Sequence, residues 1–410
     1  MLRSYLKLAW KVLLRRKFFT FASLFGVAFT LLVLTVATAL LDNVFAPHPP
    51  ETRSARTLGL YGLAMLNGQS GVIGNPGWAF IDRYMRDLPG AEKVAVLQQT
   101  RKVDSYVGGQ KVSSWLKRTN GAFWQVLDFD FVEGQPYTED DERQARPVAV
   151  INETTRERFF GNGPAIGRLI EVDGQRFRVV GVVRDVSFLR VTPFADVWVP
   201  ISTARSDAYR REYVAQFTAL VLADPSRFDA LRAEFASRLA SAKPPDPKAH
   251  FAGALESYFA YTSRSMFSPR QEAAHPAMLG SALAFLALLF MLLPAINLVN
   301  LNLSRILERS GEVGVRKAFG ASSRTLIGQF VVENLVLAFL GGALGFVLSS
   351  VALLIINRWG PIPYAQLTLN LRVFLWGLLL AAAFGLLSGI YPAWRMSRLH
   401  PIEALRGRSW

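Results

Sequence analysis

The stretch RILERSGEVGVRKAFG, Arg305 to Gly320, is short, heavily charged and punctuated by Gly311, Gly314 and Gly320. Long apolar runs flank it on both sides. Helical spacing places Arg305, Arg309, Glu312 and Arg316 along one face, while Val315 and Phe319 recur four apart elsewhere. Glycines at this density let a backbone bend or approach another surface closely. Such a segment suits contact with a partner whose motion it carries into a membrane. The charges alone are also met by an ordinary basic cytoplasmic loop, because short loops on that side are rich in Lys and Arg.

Outward from this stretch lie four uninterrupted apolar runs. A hydrocarbon core about 30 Å thick needs roughly 20 helical residues, and each run reaches that length. The chain of 410 residues is 51% hydrophobic with a net charge of +15 and a mean hydropathy of +0.23. Its basic residues cluster beside the apolar runs and build no separate basic domain, so nucleic acid is not an expected partner. With no cysteine there are no disulfides, thiol catalysis or cysteine metal sites. His48, His250, His275 and His400 stand far apart, without metal-ligand spacing, and read as surface histidines.

Taken in order, residues 1–17 put Leu2, Tyr5, Leu6, Ala9, Val12 and Leu13 on one helical face, with Arg3, Lys7, Lys11 and Arg15 opposite. That pattern predicts an amphipathic helix lying in the headgroup region. Residues 18–41 form the first spanning helix; the run is too long for the apolar core of a signal peptide. Residues 42–276 contain no spanning run and mix strand and helix patterns, which predicts a large extracytoplasmic α+β domain inserted between helices 1 and 2. Strands are expected at Leu58–Met65, Lys93–Gln99, Val112–Thr119, Val148–Asn152, Leu169–Val172, Phe177–Val183, Val197–Pro200 and Ala219–Leu222. Helices are expected at Trp78–Asp87, Glu153–Phe160 and Ser226–Ala240. The corner Val172-Asp173-Gly174-Gln175 reads as a hairpin turn, and the acidic run Glu139 to Glu142 as a solvated turn.

Residues 277–303 form the second span, interrupted by Pro294; 304–329 form the cytoplasmic loop quoted above; 330–356 form the third span, with Gly341, Gly342 and Gly345 permitting close helix packing. Residues 357–372 are a short external loop whose Trp359, Pro361, Pro363 and Tyr364 suit an interface. Residues 373–396 are the fourth span and 397–410 a basic cytoplasmic tail. Lys and Arg crowd the N-terminal segment, the 304–329 loop and the tail, whereas the external loop holds only Arg358 with Arg372 at its edge. Positive-inside placement therefore predicts a membrane protein with four transmembrane α-helices and both termini in the cytoplasm.

No Gly-x-x-x-x-Gly-Lys-Ser/Thr loop, Gly-x-Ser-x-Gly elbow or His-Glu-x-x-His helix occurs, so no catalytic residue, cofactor site or metal site is expected on this chain. Glu333 enters the third run one turn after Gln329, where a carboxylate is costly unless it is paired or at headgroup level. Two readings stand open: Glu333 faces interfacial water, or it pairs with a basic residue of the loop or tail, Arg395 and Arg398 included.

The segment SRILERSGEVGVRKAFGAS (304–322), followed by Gln329 and Glu333, resembles the signature of FtsX-like ABC-transporter permeases, and YPAWRMSRLHPIEALR (391–406) resembles their terminal motif. VAVINETTRERFFGNGPAIGRLIEVDGQRFRVVGVVRDV (148–186), ADVWVP (195–200), Gly121-Ala-Phe-Trp124 and Val132-Glu-Gly134 resemble the periplasmic core domain of MacB-type transporters. The regions 42–90 and 243–270 show no such likeness. The resemblance implies a permease subunit of the bacterial inner membrane that pairs with a second permease chain, identical or not, and works with separate ABC ATPase subunits. ATP and Mg would then bind on those partners. It further implies that Arg309, Gly311, Glu312, Gly314, Arg316, Lys317, Phe319 and Gly320 form the coupling helix seated on the ATPase, and that Arg395 and Arg398 hold the tail at the inner leaflet. The function expected is ATP-driven export or extraction of a hydrophobic or amphiphilic substrate, with a periplasmic adaptor and outer-membrane duct as further partners. The alternative is a regulator that moves no cargo and relays ATPase motion to an extracytoplasmic enzyme such as a cell-wall hydrolase.

Overall fold

A computed structural model describes residues 2–15, 17–68, 70–107, 109–161, 163–268, 273–290, 292, 315, 319, 322–360 and 362–397. The chain divides into two compact units, one of Met1–Asp42, Ser281–Pro361 and Leu367–Trp410, the other of Asn43–Gly280 with Ile362–Gln366.

The first unit is helical. Leu2–Arg15 buries Ala9 and Leu13 while Lys7, Lys11 and Arg15 stay exposed, as the sequence pattern predicts, and it packs against the helix Ser323–Trp359. Among the described residues two helices are long and apolar enough to cross a membrane, Lys17–Phe45 and Gly328–Trp359. Pro276–Phe290 is a shorter apolar helix, and Leu371–Ala383 is the apolar first part of the helix Leu371–Ser397. The expected second span at 277–303 runs on from Phe290 largely outside those residues. Glycines set the helix spacing: a Cβ on Gly341 would stand 2.8 Å from Val27 Cβ, and one on Gly377 2.9 Å from a Leu34 methyl. Val27, Leu31 and Phe374 form the buried centre of this contact. Asn357 clasps the far end, donating to Leu367 O at 2.9 Å and accepting from Leu367 N at 2.9 Å.

The second unit is built on a ten-stranded sheet. Its main path runs Thr57–Leu60, Phe217–Leu222, Lys93–Gln98, Gln110–Thr119, Val197–Pro200, Val148–Asn152, Gln175–Val183, Phe131–Gly134. Arg101–Val107 pairs onto Gln110–Thr119, and Leu169–Val172 onto Gln175–Val183. Val197–Pro200 beside Gln110–Thr119, and Val148–Asn152 beside Gln175–Val183, are parallel. A four-stranded sheet of Val214–Ala215, Ser70–Pro76, Leu63–Asn67 and His250–Gly253 lies alongside.

The single strand expected at Leu58–Met65 is therefore two. Thr57–Leu60 pairs with Phe217–Leu222, whereas Leu63–Asn67 pairs with Ser70–Pro76 and His250–Gly253. The chain changes sheets at Tyr61 and Gly62, a tertiary demand that apolar alternation does not reveal. The acidic run is a short helix, Glu139–Arg143, and not a turn. Thr138 caps it reciprocally, Asp141 N donating to Thr138 Oγ1 and Thr138 N to Asp141 Oδ2, and carboxylates in a first turn favour the positive helix end. The corner at 172–175 forms as predicted: Val172 faces Gln175 across the ladder, and Asp173 and Gly174 both take positive φ (57° and 62°), the requirement of a two-residue hairpin loop.

Trp198 is fully buried among Trp124, Phe129 and the aliphatic face of the large sheet. Its Nε1 donates to Pro193 O at 3.1 Å, so the ring leaves no polar atom unmet. Trp198→Ala should cost about 3–5 kcal/mol and lower the second unit's Tm on the order of 10 °C, read by scanning calorimetry of the full chain.

Candidate functional site

Within the second unit, one loop between the strands Gln175–Val183 and Val197–Pro200 holds two segments that come from apolar helices. The first segment follows Lys17–Phe45. Arg190, almost wholly buried, pairs with Glu51 at 2.8 Å and donates through Nη2 to Ala46 O at 3.1 Å. Lys117, on the strand Gln110–Thr119, extends beneath the same loop and donates from Nζ to Val191 O at 3.0 Å and Thr192 O at 2.7 Å. Asp128 N donates to Pro50 O at 2.8 Å and Arg53 Nη1 to Gln125 O at 2.8 Å, which fixes the segment along its length.

The second segment is Ile362–Gln366, between the apolar helices Ser323–Trp359 and Leu371–Ser397. Phe188 N donates to Pro363 O at 3.0 Å, Tyr364 OH to Asp196 Oδ1 at 2.7 Å, and Gln366 Nε2 to Asp185 O at 3.3 Å. Asp196 is buried and also accepts from Trp115 N at 2.8 Å and Asn152 Nδ2 at 3.2 Å. A carboxylate saturated with donors in this way costs little to bury, and loses its balance if one donor leaves.

A third anchor holds the segment that leads into Pro276–Phe290. Glu256 and Arg264 are both buried and pair at 3.0 Å, while Gly59 and Glu256 exchange backbone hydrogen bonds at 2.8 and 3.1 Å. The helix Tyr258–Phe267 is capped by Ser257, whose Oγ accepts from Ala260 N at 3.2 Å.

The electrostatics are those of enclosed charge. Burial raises the Glu51 carboxyl, opposed by Arg190 and Lys117, and raises Glu256 against Arg264. Burial and the neighbouring Asp196 charge raise the Tyr364 phenol, so it stays a donor. Burial pushes the Lys117 ammonium down to about 7, with the Glu51 charge opposing the shift. None of these groups is set as a nucleophile with a base, and among the described residues no cluster of His, Asp and Glu could hold a metal ion. The arrangement is one of buried polar groups that hold one another.

Of the residues singled out by sequence, Arg309, Gly311, Glu312, Gly314, Arg316, Lys317, Gly320 and Arg398 lie outside the described residues. Phe319 is exposed, and its N–H donates to Val315 O at 3.1 Å, one helical turn back. Glu333 is buried and accepts from Gln329 Nε2 at 2.9 Å, so it does not face water. Arg395 lies on the helix Leu371–Ser397. Tyr364 stands in the turn that the sequence marks as suited to an interface. Glu51, Lys117, Arg190 and Asp196 went unmarked, because a lone charge on a strand or loop ordinarily points to solvent.

Two family descriptions match the chain: a MacB-like periplasmic core domain over residues 19–238 and an FtsX-like permease C-terminal region over 284–401. The macrolide export ATP-binding/permease protein MacB of Wolinella succinogenes is 28% identical over 318 residues, covering 76% of this chain and 46% of its own. MacB of Bdellovibrio bacteriovorus is 30% identical over 293 residues (70% and 42%), and MacB of Pasteurella multocida 24% over 387 (91% and 53%). This chain thus spans about half the length of the curated relatives it matches. The periplasmic region of MacB from Actinobacillus actinomycetemcomitans aligns at 17% identity and a TM-score of 0.34, covering 48% of this chain and 90% of its own.

Since the folded-state pKa of Lys117 lies below its unfolded value of about 10.4, the unfolded chain binds the extra proton between those limits, and stability rises with pH there. Relative to Lys117→Met, the wild type should gain about 1.4 kcal/mol per pH unit from pH 7 upward and nothing below it, measured by urea unfolding of the second unit in the full chain across that range.

Proposed function

This chain belongs to the MacB-type family of FtsX-like ABC-transporter permeases, and from that premise we propose that it transmits mechanical work from partner ATPases to its extracytoplasmic domain. In this reading it is a subunit of the bacterial inner membrane with four spanning helices at 18–41, 277–303, 330–356 and 373–396 and both termini in the cytoplasm. It pairs with a second permease chain and with separate ABC ATPases that carry ATP and Mg. It exports or extracts a hydrophobic or amphiphilic substrate, with an adaptor and an outer-membrane duct beyond it.

The observation that carries this proposal is the loop 185–196, which holds both the exit segment through Arg190 and the segment Ile362–Gln366 through Phe188 and Asp196. Segments fixed by buried hydrogen bonds convey displacement; a solvated tether would absorb it. At the cytoplasmic side, Arg309 to Gly320 receives the motion: Glu312 and Arg316 shape the coupling helix, Lys317 and Phe319 meet the ATPase, and Gly311, Gly314 and Gly320 set its bends. Arg395 and Arg398 hold the tail at the inner leaflet.

The cysteine-free chain permits a direct test of orientation, because one introduced thiol is the only thiol. Ser70→Cys should react with an impermeant maleimide on spheroplasts, while Ser310→Cys should react only after lysis. Labelling of Ser310→Cys from outside would sink the proposal. With orientation established, Glu312→Lys or Arg316→Glu should cut permease-stimulated ATP turnover about tenfold, a coupling loss of roughly 1.4 kcal/mol, with insertion intact. Tyr364→Phe combined with Asp196→Asn should instead spare ATP turnover and reduce cargo release.

A further inference from the structure

A pocket of about 280 Å³ opens in the second unit where the chain leaves the apolar helix Lys17–Phe45. Phe45, Tyr61, Leu127, Leu220, Tyr258 and Phe259 line it. Three of its ring pairs are close: Phe45 and Phe259 lie 5.1 Å apart edge-on, Phe45 and Tyr258 6.1 Å, Tyr61 and Tyr258 5.3 Å. Its one carboxylate, Glu51, already faces Arg190 at 2.8 Å, so the interior offers no free negative charge. Its one cation is Arg53, exposed at the rim, whose Nη1 donates to Gln125 O; among the described residues no carboxylate pairs with it.

We infer that this pocket takes a single alkyl chain bearing an anionic head group, the chain against the aromatic wall and the head on Arg53. The inference deepens the reading of this protein as a permease for amphiphiles and rests on it. If a methylene takes about the 30 Å³ that a water molecule occupies in the liquid, the pocket has room for roughly nine methylenes. An apolar wall with one placed charge orients such a ligand without needing a rigid partner. Val44 and Phe45, the last residues of an apolar helix, form part of the lining, so the pocket opens where the chain leaves that helix. A phospholipid and a free fatty acid share this chemistry.

The full chain in phosphatidylcholine nanodiscs, doped with phosphatidylglycerol carrying a diazirine in one acyl chain, provides the test. Irradiation should label the peptide containing Tyr258 and Phe259, outside the apolar helices. Straight-chain carboxylates of increasing length should protect, each methylene improving protection roughly three- to fourfold until the pocket fills near nine or ten carbons. Ala55→Phe, a rim change at an exposed position, should move that plateau to shorter chains; Arg53→Gln should weaken protection roughly tenfold and leave the plateau in place. Protection by carboxylates identifies a fatty acid source, protection by unlabelled phosphatidylglycerol alone a phospholipid source, and either supports the pocket. Labelling confined to the apolar helices, protection that climbs through sixteen carbons without a plateau, or indifference to both substitutions overturns it. If ATPase coupling persists while the pocket stays unlabelled, the permease reading stands and the lipid pocket falls. If the pocket is labelled but ATPase coupling is lost, the pocket stands and the permease reading falls.

Discussion

Arg190 has to find two partners at once, and the rest of the second unit is arranged around that need. Its guanidinium is almost wholly enclosed, facing the Glu51 carboxylate on one side and the Ala46 carbonyl on the other. Taking both charges out of water costs several kcal/mol per ion, recovered only while the geometry holds. Sliding the exit segment away would leave an uncompensated buried charge, a change worth about 3–5 kcal/mol. The segment after the first apolar helix is thereby made part of the domain and is no tether to it. Six residues further along the same loop, Asp196 does the equivalent for Tyr364 with hydrogen bonds in place of an ion pair.

The location of this loop in the sheet gives the grip its reach. It joins Gln175–Val183 to Val197–Pro200, and both strands have Val148–Asn152 as a neighbour. Lys117 ties the loop's carbonyls to the strand on the other side of Val197–Pro200. A push on the loop is therefore shared among several central strands, whose side chains form close-packed cores that transmit strain without collapsing. Polar groups buried here are spent on geometry.

How much of this could be read from the chain differs by feature. The hairpin at Asp173 and Gly174 was legible because a two-residue loop requires φ > 0 at both positions, and Asp-Gly meets that requirement locally. The N-terminal helix was legible from its 3.6-residue periodicity. The split at Tyr61 and Gly62 was not, since two pieces of one apolar stretch serve different sheets. Glu333 shows a middle case. Spacing set it one turn after Gln329, where the two do bond, but only packing decided that the pair is buried.

By itself, then, the sequence determined the apolar runs, the helical character of those within the described residues, the small-residue faces that let helices approach, and the alternation of the strands, because each of these depends on neighbours within a few residues. Which charges are buried was decided by the tertiary structure. Glu51 and Arg190 are 139 positions apart, Tyr364 and Asp196 168 apart, and no local pattern distinguishes them from the many charged residues left in water. Their partnership exists only once the large sheet has closed and brought those distant segments to a single loop.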